Sequence, residues 1–446
     1  MKIVIAGAGA TGFYLAKLLA KEDKYITLID EDEEILSRAS EELDILTIKG
    51  DTASFHILEQ AEVNRAKLFV AVTSNETSNL LACILAKQLG AKKTIARVQS
   101  MDLLEKKNKD KFKQLGVDVV ISPYKIGAIE IERLLQRASF TDVFPFENGK
   151  ISIFGFFVGS NSPLIDQPIA KVNKYSEEFV IRGVAMLRNG QTSIPNGDTI
   201  IRKGDYLYIS VPNDGIEMAR QLVGKQVKPI KTVMIVGDTT LALRTAEILE
   251  KRYRVKLVVK SEEVGKNFLN VLNNTLIINV DPGNTDTLKE EGLAETDAFI
   301  ALTENSETNI IACLMARETG VYKTVCLVDN NNYIHLSQHI GIDTIISTKI
   351  AAAHDIFRFV RQGNVEMIGG LHGVDAEIIE FIMNKKCSLI NRPLKDMNLP
   401  KNSIIAGVIR ESKSFVPNGE SQLNSKDKVI VLALPEVIPT IEKIFK

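Results

Sequence analysis

A chain of 446 residues carrying 55 basic and 56 acidic side chains is almost neutral, and it is too long for one domain at the usual scale of about 150 residues each. Its 45% hydrophobic and 25% charged content is that of globular protein. The charge balance gives no sign of nucleic-acid binding or of a polybasic membrane anchor, no apolar run reaches the roughly 18 residues of a membrane span, and without Trp no base-stacking platform stands out.

Lys2-Ile3-Val4-Ile5-Ala6 is β-branched and almost uncharged, the pattern of a buried parallel strand. Gly7-Ala8-Gly9-Ala10-Thr11-Gly12 follows at once. Phe13 to Lys21 has the apolar period of a helix, and Tyr25-Ile26-Thr27-Leu28-Ile29 is a second strand ending in Asp30. Strand, G-x-G-x-x-G, helix, strand and acid in this order point to an adenine nucleotide. Gly7 permits the tight turn, Gly9 lets backbone approach a phosphate, and Gly12 lets the helix sit close on the sheet. The helix start offers N–H groups and a positive dipole end to an anion. Asp30 accepts from a free ribose hydroxyl and repels a 2′-phosphate. The competing reading is a doubly wound sheet with an empty glycine turn and a solvated Asp30. The apolar run after Lys2 faintly resembles a secretion signal, but its glycines are spaced for a nucleotide turn, so the chain is expected to stay in the cytosol.

The alternation continues. Glu33 to Glu41 has helical spacing, Ile45 to Ile48 is strand, Gly50-Asp51-Thr52 is a turn, and Ser54 to Ala61 is a short helix. Leu68 to Val72 is a buried strand, Glu76 to Leu89 a long helix closed by Gly90, Thr94 to Val98 a strand, and Val117 to Ile121 a sixth. Such alternation makes a parallel sheet with helices on both faces, which binds ligands beyond the carboxyl ends of its strands. Asp30, Asp51, Thr73, Ser74 and Arg97 fall at or near those ends. Asp51 either contacts the adenosine or caps the helix near Ser54. Thr73 and Ser74 either donate hydroxyls to the ligand or cap the long helix, and Arg97 either pairs with a phosphate or makes a structural salt bridge. Helix Ile126 to Leu135 either covers its own sheet or forms an exchange surface between units.

From Phe140 the texture changes to short β-rich runs, Ile151 to Val158, Glu178 to Leu187 and Asp205 to Val211, separated by turns such as Arg188-Asn189-Gly190. This is a small α+β unit, and Lys225 to Lys231 is a linker. Then the chain repeats. Val233 to Gly237 lies over Ile3 to Gly7, Ile300 to Thr303 over Val70 to Thr73, and Asn309 to Cys313 over Asn79 to Cys83, all at an offset of 230. Gly341-Ile342-Asp343 returns Gly116-Val117-Asp118, and Val416 to Gly419 echoes Ile194 to Gly197. The architecture is A-B-A-B, two Rossmann-like doubly wound sheets, each followed by a small α+β domain. In the second copy Gly9 and Gly12 become Thr239 and Ala242, Asp30 becomes Lys260, and Arg97 becomes Leu327. A pyrophosphate has less room there, and Lys260 accepts nothing from a ribose.

Cys83, Cys313, Cys326 and Cys387 form no C-x-x-C pair and sit in apolar patterns, which predicts buried free thiols in a reducing compartment. His335 and His339 stand four apart without a third ligand nearby, so no metal site is expected.

Gly7 to Gly12 with Asp30, Gly50-Asp51, the run Thr73-Ser74-Asn75-Glu76-Thr77-Ser78-Asn79, Arg97, and the turns Gly197-Asp198 and Lys203-Gly204-Asp205 together resemble one family over the whole chain. The large units look like RCK N-terminal (TrkA-N) domains and the small ones like RCK C-terminal (TrkA-C) domains. Their tandem is similar to TrkA-type regulatory subunits of bacterial Trk potassium-uptake systems. The resemblance implies RCK N-terminal domains at residues 1–122 and 232–347, crossover helices at 123–139 and 348–363, RCK C-terminal domains at 140–224 and 364–446, and a linker at 225–231. It implies a non-enzymatic cytoplasmic protein, peripheral to the inner face of the membrane, docked under a potassium channel or transporter subunit. Four chains would make a ring of eight units, and NAD(H), or ATP and ADP, would alter that ring. Gly7, Ala8, Gly9, Ala10 and Thr11 would hold the pyrophosphate and Asp30 the ribose, with Thr73, Ser74 and Arg97 around the rest. The second-copy counterparts are Gly237, Asp238, Thr239, Thr240, Leu241, Lys260 and Thr303. An NAD-dependent dehydrogenase is the alternative, but the chain has no Tyr-x-x-x-Lys, no His–carboxylate constellation and no substrate domain large enough to close over a nicotinamide. A nucleic-acid regulator would need a basic helix-turn-helix, which is missing.

Overall fold

The computed structural model describes residues 1–20, 25–173, 181–224, 228–329, 333, 342–360, 365–370, 374–385, 387, 389–411 and 413–445. Lys21, the linker residues 225–227, the pair His335 and His339, and Gly341 lie outside them. The chain forms two compact units, residues 1–128 with 347–361 and residues 129–346 with 362–446.

The first unit begins with β1 (Lys2–Ala6), α1 (Ala10–Ala20), β2 (Tyr25–Asp30), α2 (Glu33–Glu42), β3 (Leu46–Lys49) and α3 (Phe55–Gln60). It continues with β4 (Leu68–Ala71), α4 (Glu76–Gln88), β5 (Thr94–Arg97), α5 (Lys106–Gln114) and β6 (Val119–Ile121). The strands are parallel in the order β3-β2-β1-β4-β5-β6. The order reverses between β1 and β4, which opens a cleft above their carboxyl ends. Ile3, Val4, Ile5 and Ala6 are fully buried, and Val4, Phe69 and Ala96 share a core with Ala82, Cys83 and Ala86 of α4. Asp32 caps α2 and Asn75 caps α4 through their side chains. Helix α1 starts at Ala10, three residues before its apolar period becomes visible. Helix α5 carries no such period at all, only lysines and other polar residues around one half-buried Phe112, so hydrophobic spacing does not reveal it.

Next come α6 (Pro123–Gln136), β7 (Asp142–Phe146), β8 (Ile151–Phe157), α7 (Ile169–Asn173), β9 (Arg182–Arg188), β10 (Gln191–Ser193), β11 (Tyr206–Pro212) and α8 (Ile216–Val223). The five strands form an antiparallel sheet, β10-β9-β11-β8-β7. Strand β7 contains Pro145, which its place at the sheet edge tolerates and which hides it from strand patterning.

The second copy follows as β12 (Thr232–Val236), α9 (Thr240–Leu249), β13 (Arg254–Val259), α10 (Glu262–Leu269), β14 (Thr275–Asn279), α11 (Thr285–Glu290), β15 (Ala298–Ala301), α12 (Ser306–Glu318), β16 (Lys323–Leu327) and β17 (Thr344–Ile346). It ends with α13 (Thr348–Val360), β18 (Val365–Gly370), β19 (Glu377–Ile382), β20 (Ser403–Arg410), β21 (Lys413–Phe415), β22 (Lys428–Ala433) and α14 (Ile438–Phe445). The orders β14-β13-β12-β15-β16-β17 and β18-β19-β22-β20-β21 reproduce the first two sheets. The A-B-A-B duplication is therefore present in three dimensions. The two small sheets share one core, with Ile151, Val184 and Tyr208 against Ile378, Ala406 and Ile430.

The crossover segments are exchanged between copies. Within the first unit α13 lies against α1, with the rings of Tyr14 and His354 5.8 Å apart and the Lys93 ammonium 4.6 Å above Phe359. Within the second unit Glu132 of α6 approaches Arg252 at 3.6 Å, and the fully buried Lys323 ammonium donates to the Phe140 carbonyl at 2.7 Å. All four cysteines are buried free thiols, and burial pushes the Cys83 thiol well up.

Candidate functional site

In copy one the turn after β1 puts Gly7 at φ +106°, a left-handed value that disfavours any side chain. A Cβ at Gly7 would meet the Thr73 amide at 2.8 Å, and one at Gly12 would meet the Gly7 carbonyl at 1.8 Å. Both glycines are thus needed for packing, at the close approach of β1, α1 and the loop after β4. Gly9 is different, because a Cβ there meets nothing within 4 Å. Its turn faces open space at the first helical residues Ala10 and Thr11, and Thr11 is itself buried.

Asp30 closes the turn from the side. One carboxylate oxygen accepts from the Ala8 amide at 2.6 Å and the other from the Asp32 amide at 3.0 Å. Each oxygen keeps acceptor capacity for a hydroxyl donor. Asp51, beyond β3, accepts from the Ala53 amide at 2.9 Å, a turn contact; Ser54 is the N-cap of α3 and makes no side-chain bond there.

The loop after β4 is held by a residue that the sequence marks only through its recurrence. Asn79, 1% exposed, accepts from the Thr73 amide and hydroxyl at 2.9 and 2.7 Å and donates to the carbonyls of Thr73 and Arg97 at 3.0 and 2.9 Å. The Thr73 hydroxyl is thereby directed into its own loop. Asn75, rather than Thr73 or Ser74, caps α4, and Ser74 is exposed with its carbonyl accepting from Gln99 at 3.0 Å. Glu76 receives the Gln99 and Ser100 amides at 2.7 and 2.9 Å, and these bonds, with the Ser100 hydroxyl, pull its carboxyl below the usual range against the cost of burial. Arg97 stands at the carboxyl end of β5, and its Nε is buried with no hydrogen-bond partner among the described residues. A buried donor of this kind calls for an acceptor.

The cleft of copy two has the same frame and different chemistry. Gly237 has φ +137°, and Asn309 repeats the bonds of Asn79 to Thr303 and the next strand, at 2.9, 2.7, 2.9 and 3.0 Å. Thr239 stands where copy one has Gly9. Its hydroxyl donates to the Leu302 carbonyl at 2.8 Å and accepts the Ala242 amide at 3.2 Å, so α9 is capped by its own side chain. Thr240 opens the helix, and Leu241, in the place of Thr11, is 1% exposed and apolar. The acid has changed sides: Asp238 accepts from the Ser261 amide at 3.2 Å. Lys260 pairs with Asp281 at 2.9 Å, which raises the lysine and, together with the Gly283 amide, lowers the aspartate.

The profile of the TrkA-N domain matches residues 3–123 and 233–348, and that of the TrkA-C domain matches 153–224 and 378–446. The chain belongs to the TrkA family. Relatives along the full length of both chains include the Trk system potassium uptake protein TrkA homolog of Archaeoglobus fulgidus, 31% identical over 447 residues, and TrkA homolog 1 of Methanosarcina mazei, 29% identical over 455. Among solved structures the fold of this chain resembles the GsuK RCK domain, with TM-score 0.60, 15% identity, and 100% and 94% of the two chains covered. It likewise resembles a structure described as the GsuK channel bound to NAD, with TM-score 0.59, 15% identity, and 100% and 78% covered. No helix of the described residues is long and apolar enough to cross a membrane, and among them no cluster of His, Cys, Asp and Glu is suited to a metal.

Proposed function

We propose that this chain is a nucleotide-sensing regulatory subunit of a potassium-uptake system, peripheral to the inner face of the membrane, and that it catalyses no reaction. The first cleft takes NAD(H), or ATP and ADP. Gly7, Ala8, Gly9, Ala10 and Thr11 receive the pyrophosphate while Gly12 lets the helix sit close, Asp30 clasps the adenosine ribose, and Asp51, Thr73, Ser74 and Arg97 border the remainder. The observation that carries this reading is the open turn at Gly9 beside the Asp30 carboxylate, in a chain whose relatives bear the names of potassium-uptake proteins. The NAD-bound GsuK channel shares its fold. Four chains supply a ring of eight RCK units under a membrane-embedded Trk-type partner.

The work comes from differential affinity. A nucleotide that prefers one ring geometry by about tenfold supplies roughly 1.4 kcal/mol per site, and several sites add. Helix α1 begins in the glycine turn and carries α13 of the second copy on its flank, so a shift at the phosphates reaches the segment that leads into the last small domain. The test is a binding panel of NAD, NADH, ATP and ADP by thermal shift and calorimetry, together with a search for NADH consumption. Nucleotide is expected to raise the melting temperature without being consumed. Turnover of NADH with any substrate class overturns the regulatory reading in favour of a dehydrogenase.

A further inference from the structure

The near-neutral total charge conceals a strong separation within copy one. Helix α5 has five lysines in nine residues, and Lys106, Lys107, Lys111 and Lys113 are all exposed. Lys107 has an exposed partner, Glu105, at 3.1 Å; among the described residues Lys106, Lys111 and Lys113 have no ion pair. Asp110 is the single acid of the helix. Helix α2 is the reverse, with Glu31, Asp32, Glu33, Glu34, Glu41 and Glu42 exposed in and around it and Arg38 the only base. The strand order places α2 beside β2 and β3 at one edge of the sheet and α5 beside β5 and β6 at the other. Copy two does not share the feature, since between Thr324 and Ser347 its sequence has neither Lys nor Arg.

We propose that α5 is a docking face for anionic phospholipid headgroups, which fixes one edge of copy one against the membrane surface. Lysines on mobile stems suit a fluid array of phosphates, whereas the cores of protein–protein contacts are depleted in Lys and enriched in aromatic anchors. The exposed face of α5 carries no aromatic, because Phe112 is turned into the core, and Leu115 just beyond it is the one large apolar side chain, 54% exposed. Nucleic acid is less suited, because α5 offers neither arginine forks nor stacking rings. The acidic edge at α2 is repelled by the same surface, so the separation of charge both attracts the domain and orients it. The inference builds on the peripheral placement proposed above and does not involve the nucleotide cleft.

The experiment is co-sedimentation of the full-length chain with phosphatidylcholine vesicles, with and without phosphatidylglycerol. The wild type is expected to sediment only with the anionic vesicles and to be released by salt. A variant with Lys106→Gln, Lys107→Gln, Lys111→Gln and Lys113→Gln should lose about 600-fold in affinity, at about fivefold per lysine. A control with Lys266→Gln and Lys289→Gln in copy two should bind as wild type does. Light scattering and nucleotide-induced thermal shift on the quadruple variant are expected to be unchanged, which separates failure here from failure of the nucleotide reading. Equal binding by the quadruple variant, no binding by the wild type, or a loss of chain association in the variant each overturns the proposal, the last by assigning the lysines to a protein contact.

Discussion

The two clefts of this chain are built on one frame and lined by different side chains. Both have a left-handed glycine after the first strand, and both have a buried asparagine that ties the fourth strand's loop to the fifth strand through the same four bonds. In copy one the space over Gly9 is open, while in copy two Thr239 fills it and satisfies the helix N–H group itself. In copy one the acid at the end of the second strand reaches back to the turn; in copy two the corresponding residue is a lysine paired with Asp281. What duplication keeps is therefore packing and backbone hydrogen bonding, and what it changes is the set of side chains that line the cleft.

The largest expected effects probe what the copies share. Arg188 makes a two-point contact with the buried Asp205 at 2.7 and 2.6 Å, and Arg410 repeats it on Asp427 at 2.9 and 2.7 Å. Arg188→Ala and Arg410→Ala each leave a buried carboxylate unpaired and should cost about 3 kcal/mol in denaturant unfolding. A large inequality between the two would break the equivalence of the small domains.

A second difference is acid sensitivity. Asp297 has Lys67 as its first-copy counterpart. Burial opposes its ionisation, but Lys228 at 2.9 Å, the Lys231 and Thr232 amides and the Thr232 hydroxyl outweigh that cost and hold the carboxyl at about 2. Its unfolded value is about 4, so the stabilisation is complete above that pH and is lost as pH falls through the folded value. Asp297→Asn should lower stability by about 2 kcal/mol at pH 7 and flatten the acid limb of a pH–stability profile.

The ligand chemistry is addressed by smaller changes. Asp30→Ala should weaken nucleotide binding by about 1–3 kcal/mol in calorimetry. Gly9→Thr has room to fold, and it should weaken binding about tenfold while capping α1 as Thr239 caps α9. Smallest of all, Lys260→Ala breaks an exposed pair and should change stability by no more than about 1 kcal/mol and leave nucleotide affinity untouched. A loss of binding in Lys260→Ala would erase the distinction between the clefts.

Most of the fold was legible in the sequence because its parallel strands are short apolar runs and its repeat is in register. Residues 106–114 and 142–146 were not, the first because lysines hide a helix with one half-buried ring, the second because Pro145 interrupts a strand. The glycine turn and Asp30 were legible as a pattern, since only glycine fits Gly7 and Gly12. Asn79 was visible as a repeated residue without a role, because its four bonds join segments that only the folded sheet brings together. The inward direction of the Thr73 hydroxyl was hidden for the same reason.

The most direct measurement is the stoichiometry of NADH binding to the full-length chain by calorimetry, with Asp30→Ala alongside. One site per chain, weakened by that substitution, is the predicted result. Two equivalent sites per chain, or a single site indifferent to Asp30, would contradict the account.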